Sequence, residues 1–149
     1  MAQTIKFANG AVYEPINVIR YTEFIRGEDR ICLDVVFDGD SYTYEELEQV
    51  YNDASNFKTI VITDSTTDEE GNIQQSEFTY SDFDIPVSIS KMKSNDYTTI
   101  TLKVSQKTVT EVQQDQLIQD NLDTQMAVLE LAARVSEMSA PETTTQEVE

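Results

Sequence analysis

The feature that most constrains this chain is a change of periodicity near residue 108. Up to that point apolar residues recur at period two, the mark of strands with one buried face. Ile31, Leu33, Val35 and Phe37 alternate with Cys32, Asp34 and Val36, and Thr98, Ile100, Leu102 and Val104 alternate with Thr99, Thr101 and Lys103. From Thr108 to Met138 there is no Gly or Pro, and apolar residues recur at helical and heptad spacing among Gln, Asp and Ala. Pro141 then blocks continuation of the helix. The expected fold class is therefore α+β: a compact antiparallel β-rich domain with one short helix, followed by a long C-terminal helix. The domains expected are residues 1–107 for the β-rich part, 108–138 for an amphipathic, coiled-coil-like helix, and 139–149 for a disordered acidic tail.

Local signals place the elements of the first part. Short strands flank Ala8-Asn9-Gly10, and Asn17 to Arg26 with Ile31 to Phe37 read as one long hairpin turning at Gly27-Glu28-Asp29. Thr43 followed by Glu46 is a capping box, with Tyr42 and Leu47 at staple positions, so a helix is expected from Tyr44 to Asp53. Ile60 and Ile62 mark a short strand after it. Ile73 to Tyr80, Asp84 to Met92 and Tyr97 to Ser105 then read as a meander. Within that meander Phe78 and Tyr80 are expected on one face, and Ile85, Val87 and Ile89 on one face.

Composition narrows the function. The chain has 149 residues, no His and one Cys, so imidazole-based catalysis, an internal disulfide and a Cys-based zinc site are excluded within one chain. No phosphate-binding loop, dinucleotide fingerprint or nucleophile elbow occurs, and paired carboxylates lack a Trp or a Gly-rich loop to build a sugar cleft. The expectation is a protein that is not an enzyme and holds no cofactor. Two acidic stretches, Asp38-Gly39-Asp40 and Asp68-Glu69-Glu70-Gly71-Asn72, suggest calcium, but neither has the spacing of an EF-hand loop, and no metal site is expected. Cys32 reads as a small buried hydrophobe. The seven Tyr residues read mostly as the rim of a small core, with interface anchoring as the other possibility.

The formal charge of -18 is unevenly placed. Residues 1–37 carry net -1, residues 38–90 net -12, residues 91–107 net +3 and residues 108–149 net -8. Binding of nucleic acid by this chain is not expected, since phosphate attraction needs clustered Lys and Arg. The acidic middle reads as a solvated face or as a surface that docks on a basic partner. The apolar runs fall far below the ~20 residues of a membrane span, and the N-terminus lacks a secretory signal's apolar run, so no membrane partner is expected and synthesis in the cytoplasm is.

In the C-terminal helix Ile118, Leu122, Gln125, Leu129 and Ala132 form one stripe, and Val128, Leu131, Val135 and Met138 a second. Ile118, Leu122, Leu129, Val128, Leu131 and Val135 are the candidate partner-binding residues. A helix folded back on the sheet and a helix that pairs with copies or a partner are both open; length, position and a Gln-rich start favour pairing.

The segments EFIRGEDRICLDVVFDG, SYTYEELEQVYNDASNFKTIVITD and TTITLKVSQKTVTEVQQDQLIQDNLDTQMAVLELAARV resemble, across roughly residues 14–138, a class of small tail-region proteins of phages and prophages of Firmicutes. Members found among baseplate and tail-fibre components combine a compact β-rich domain with a terminal Gln/Asp/Leu helix. The likeness lies in layout and transfers no site residue. It implies a virion structural protein, made in the host cytoplasm and present in several copies. Its partners would be other tail or baseplate proteins and copies of itself. The alternative is an acidic nucleic-acid mimic that inhibits a host DNA-binding or defence protein, motivated by the charge of residues 38–90.

Overall fold

The structure is a computed structural model and describes residues 2–139. The expected acidic tail lies outside them from Ala140 onward. The chain divides into two compact units, with the boundary between Thr108 and Val109.

The first unit holds eight strands: β1 (Ala2–Lys6), β2 (Val12–Tyr13), β3 (Asn17–Ile25), β4 (Glu28–Asp38), β5 (Thr59–Thr67), β6 (Ile73–Ser81), β7 (Ile85–Lys93) and β8 (Thr98–Ser105). Helix α1 (Tyr44–Asn52) and a single 3₁₀ turn (Ala54–Phe57) connect β4 to β5. All pairing is antiparallel. One sheet runs β2-β1-β5-β6 and the other β3-β4-β8-β7. The α+β class read from the sequence is the class observed.

Both sheets and the helical connection feed one apolar cluster. Ile5, Ile60 and Ile62 come from the first sheet, Leu33, Val35, Phe37, Ile100, Leu102 and Val104 from the second, and Leu47, Val50 and Phe57 from the connection. Aromatic rings tie these sources together. Tyr13 from β2 lies 6.1 Å from Phe37 of β4 and 5.5 Å from Tyr42. Phe7 stands edge-on to Phe57 at 5.2 Å. Each such pair contributes about 0.5–1.5 kcal/mol beyond the area it buries.

The hairpin β3–β4 closes at Ile25↔Glu28, so its loop is Arg26-Gly27, one residue earlier than the spacing suggested. Both loop residues have positive φ, 55° and 85°, which matches the twist a two-residue hairpin needs. The capping box forms as expected. Thr43 Oγ1 accepts from the Glu46 amide at 3.2 Å, and Glu46 Oε2 accepts from the Thr43 amide at 2.9 Å. That last bond is the chief reason the Glu46 carboxyl sits below its usual pKa.

The expected meander is corrected. β6 pairs with β5 in one sheet, while β7 and β8 belong to the other. The chain crosses between sheets at Asp82-Phe83-Asp84, where Asp82 takes φ 64° and Phe83 is buried against Tyr80, ring centroids 5.9 Å apart. An inward-facing aromatic in the crossover anchors it to the core, so the polar residues around it need not pair in a third consecutive hairpin.

A second correction concerns the face of β7. Ile85 pairs with Ser105 and Pro86 with Val104, but Ser88 pairs with Lys103, so Val87 is a bulge. One extra residue inverts the alternation that follows. Ile89 therefore packs on the core beside Leu102, while Ile85 lies on the opposite face, in the row Tyr21-Cys32-Ser105-Ile85. Phe78 and Tyr80 also part ways in burial: Tyr80 packs on the core, whereas Phe78, nearer the strand's free half, is 49% exposed.

The second unit is helix α2 (Val109–Met138), 30 residues without a Gly or Pro to break it.

Candidate interaction surface

Helix α2 carries all six candidate partner-binding residues. Ile118, Leu122, Val128, Leu129, Leu131 and Val135 are between 48% and 69% exposed, and no residue of the helix is buried. A hydrocarbon side chain left in water gives up roughly 1.5–3 kcal/mol relative to full burial, so such a row is stable only in the sense that the backbone holds it there. Sequence reading passed over two members of this surface, Leu117 and Met126, both exposed. Leu117 was legible: it stands eleven residues before Val128, a whole number of helical turns.

The polar residues of α2 satisfy one another locally. Gln116 donates to Asp120 and Gln119 to Asp123, each at 2.8 Å, and Arg134 pairs with Glu130 at 2.6 Å. These i,i+4 contacts support the helix by a few tenths of a kcal/mol each and leave its apolar side chains untouched.

On the β-unit the face of sheet β3-β4-β8-β7 away from the core carries a charged network. Tyr21 donates to an Asp34 carboxylate oxygen at 2.9 Å, and Lys103 is paired with Glu23 and stands 5.5 Å from the centre of the Tyr21 ring. Removal from water, foremost, pushes the Tyr21 hydroxyl up to about 12. The bond to Glu23 holds the Lys103 ammonium above its usual range. Burial likewise pushes up the thiol of Cys32, which is fully buried and free. A high thiol pKa keeps the sulfur protonated and inert at neutral pH, as expected of a small buried hydrophobe. This network spans four strand positions on two strand pairs, and no single strand's sequence shows which charge meets which.

The acidic stretches serve local structure. Asp38 accepts from the Asp40 amide and from the Ser41 hydroxyl, both at 3.0 Å. Asp68 accepts from the amides of Asn72 and Glu70 at 2.8 and 3.0 Å and from the Asn72 side chain at 3.1 Å, which lowers its pKa, the Asn72 amide most of all. A carboxylate so occupied closes a turn. Among the described residues no three Cys, Asp or Glu are gathered as a metal site. Among them, too, no helix is long and apolar enough to cross a membrane.

A cleft of about 440 Å³ opens beside α1, between Asn9, Tyr13, Glu46, Asp53 and Asn56. Three of its polar groups hold helix ends: Glu46 closes the capping box, Asp53 accepts from the Ser55 amide at 3.1 Å, and Asn56 donates to the Val50 carbonyl at 3.0 Å. Of the seven tyrosines, Tyr13, Tyr42, Tyr44, Tyr51 and Tyr80 pack at the core's rim, and Tyr97 is exposed.

No protein-family profile, curated protein or solved structure matches this chain.

Proposed function

We propose that this chain is a non-enzymatic structural protein of a phage tail, in the baseplate or fibre-attachment region. Its β-unit docks on neighbouring tail proteins and its C-terminal helix tethers partners, with several copies in each virion. The observation that carries the reading is the division of labour in the chain. The β-unit buries its own core with side chains from both sheets, while α2 buries none of its apolar side chains and leaves those from Leu117 to Met138 exposed. A helix in that condition is completed by association. The layout resembles small tail-region proteins, and Glu46, Asp53 and Asn56 in the cleft beside α1 are committed to structure.

The test is deletion of residues 108–149 followed by mass spectrometry of purified particles and an infectivity assay. Loss of the truncated protein from particles is expected. Unchanged incorporation and infectivity reject the tether. If the full chain is absent from particles and instead binds a DNA-binding protein with steep salt dependence, the acidic-mimic reading takes its place.

A further inference from the structure

Helix α2 carries two interlocking heptad seams, not one. Leu117, Asn121, Thr124, Val128, Leu131, Val135 and Met138 advance by alternating steps of four and three residues. So do Ile118, Leu122, Gln125, Leu129, Ala132 and Ser136. One residue separates the two series, so the seams lie about 100° apart around the helix axis. A helix in a two-stranded coil uses a single seam, and a second seam calls for a second neighbour. Two neighbours per helix, repeated by rotation until the ring closes, make a bundle of at least three.

Charge and area agree. Asp123, Glu130 and Glu137 follow one another at heptad spacing on the side of the helix opposite the two seams, so like charges of neighbouring copies stay in solvent. The eight large apolar side chains of the two seams, from Leu117 to Met138, are each 48–86% exposed. Together they offer on the order of 1,000 Å² per helix, against the ~800 Å² a side of a standard stable interface.

We propose that α2 joins copies of this chain into a closed parallel bundle of three or more helices, with Asn121 setting register and orientation. Asn121 interrupts the first seam where the other series also turns polar, at Gln125, with Thr124 beside it. In a parallel, in-register bundle Asn121 meets Asn121 of the neighbouring copies and its amide is satisfied. In an antiparallel pairing over the same span it faces the region of Val135, and a buried amide goes unpaired. The inference names the partner of the surface on which the proposed function rests, yet stands on the helix alone.

Sedimentation equilibrium and native mass spectrometry of the full chain test it. One species of three or more copies is expected, and a monomer or a dimer overturns the proposal. Val128→Asp and Leu129→Asp, one in each seam, should each weaken association by at least about tenfold. Near-UV circular dichroism from the tyrosines, all of which lie before residue 98, checks that the β-unit stays folded. If either variant keeps the parent's affinity and copy number, one seam is idle and the closed bundle is rejected. Asn121→Ile should tighten association while yielding mixed copy numbers; a single unchanged copy number overturns the register role. A purified chain that stays monomeric yet is incorporated in particles sinks the bundle and spares the tail reading. A stable bundle absent from particles does the reverse.

Discussion

Phe37 of β4 and Leu129 of α2 are both large hydrocarbon side chains in regular, well-formed elements. Phe37 has no exposed surface, while Leu129 is 69% exposed. The difference lies in supply. Strand β4 sits inside a sheet, with β3 on one side and β8 on the other, and α1 and a second sheet add apolar side chains to the same cluster. Helix α2 satisfies its backbone internally and has no need of neighbours for hydrogen bonding, so it forms without covering its apolar surface. Burial in the β-unit is a condition of folding; α2 forms without it.

That contrast can be broken by mutation. Phe37→Ala should destabilise the β-unit by about 3–5 kcal/mol, because the site is walled by Tyr13 and Tyr42 and collapses poorly. Leu129→Ala should shift the same urea transition, followed by tyrosine fluorescence, by less than about 0.5 kcal/mol. Equal losses would show that the helix is part of the β-unit's folding. Gly39→Ala ranks next, at about 1–3 kcal/mol. A Cβ there would stand 3.1 Å from the Thr98 carbonyl oxygen and under 3 Å from its side chain, while the Gly39 amide is tied to that same oxygen at 2.8 Å.

Thr43→Ala should cost about 1 kcal/mol by removing the cap of α1, measured in the same denaturation. It also removes the Thr43 hydroxyl's bond to Glu46 Oε2 at 3.0 Å, while the bond from the residue 43 backbone amide, the chief cause of the low Glu46 pKa, stays, so the change is partial. A carboxyl whose pKa is depressed in the folded state contributes stability above its unfolded pKa of 4.5 and loses it as pH falls, so the variant should show a shallower acid decline than the parent.

The smallest effect sharpens the comparison by pH. Tyr21 is raised from 10.0 to about 12 in the folded chain, so the native state keeps a proton that the unfolded chain releases. The corresponding stability is intact below pH 10 and disappears as pH rises toward 12. The raised Lys103 acts in the same direction. Tyr21→Phe should flatten the alkaline decline of the β-unit. Helix α2 contains no tyrosine, and its helicity should follow neither change.

Much of the fold was legible because it rests on local chemistry. The alternation at Leu33, Val35 and Phe37 and again at Ile100, Leu102 and Val104 named the two central strands of one sheet, and all six side chains are fully buried. The capping box placed α1 to within a residue at its end. The six helix positions chosen as partner-binding all lie on exposed surface. Less was legible where one residue changes the meaning of its neighbours. The bulge at Val87 sends Ile85 and Ile89 to opposite faces although their spacing of four says otherwise. The grouping of Tyr21, Asp34, Lys103 and Glu23 depends on the register of the β3–β4 hairpin and on that between β4 and the distant β8.

By itself, then, the amino-acid order determined element type, the caps and the apolar faces of strands without a bulge, since period, turn residues and capping geometry act over a few residues. It also set the absence of His and of a second Cys, which bounds the chemistry available to the chain. Only the tertiary structure decided that the strands divide into two sheets with the last crossing at Phe83, that Ile85 joins Cys32 on the face away from the core, and that the apolar cluster closes over both sheets. Those outcomes depend on which strands find one another, and the free energy that selects among pairings comes from packing between residues far apart in sequence.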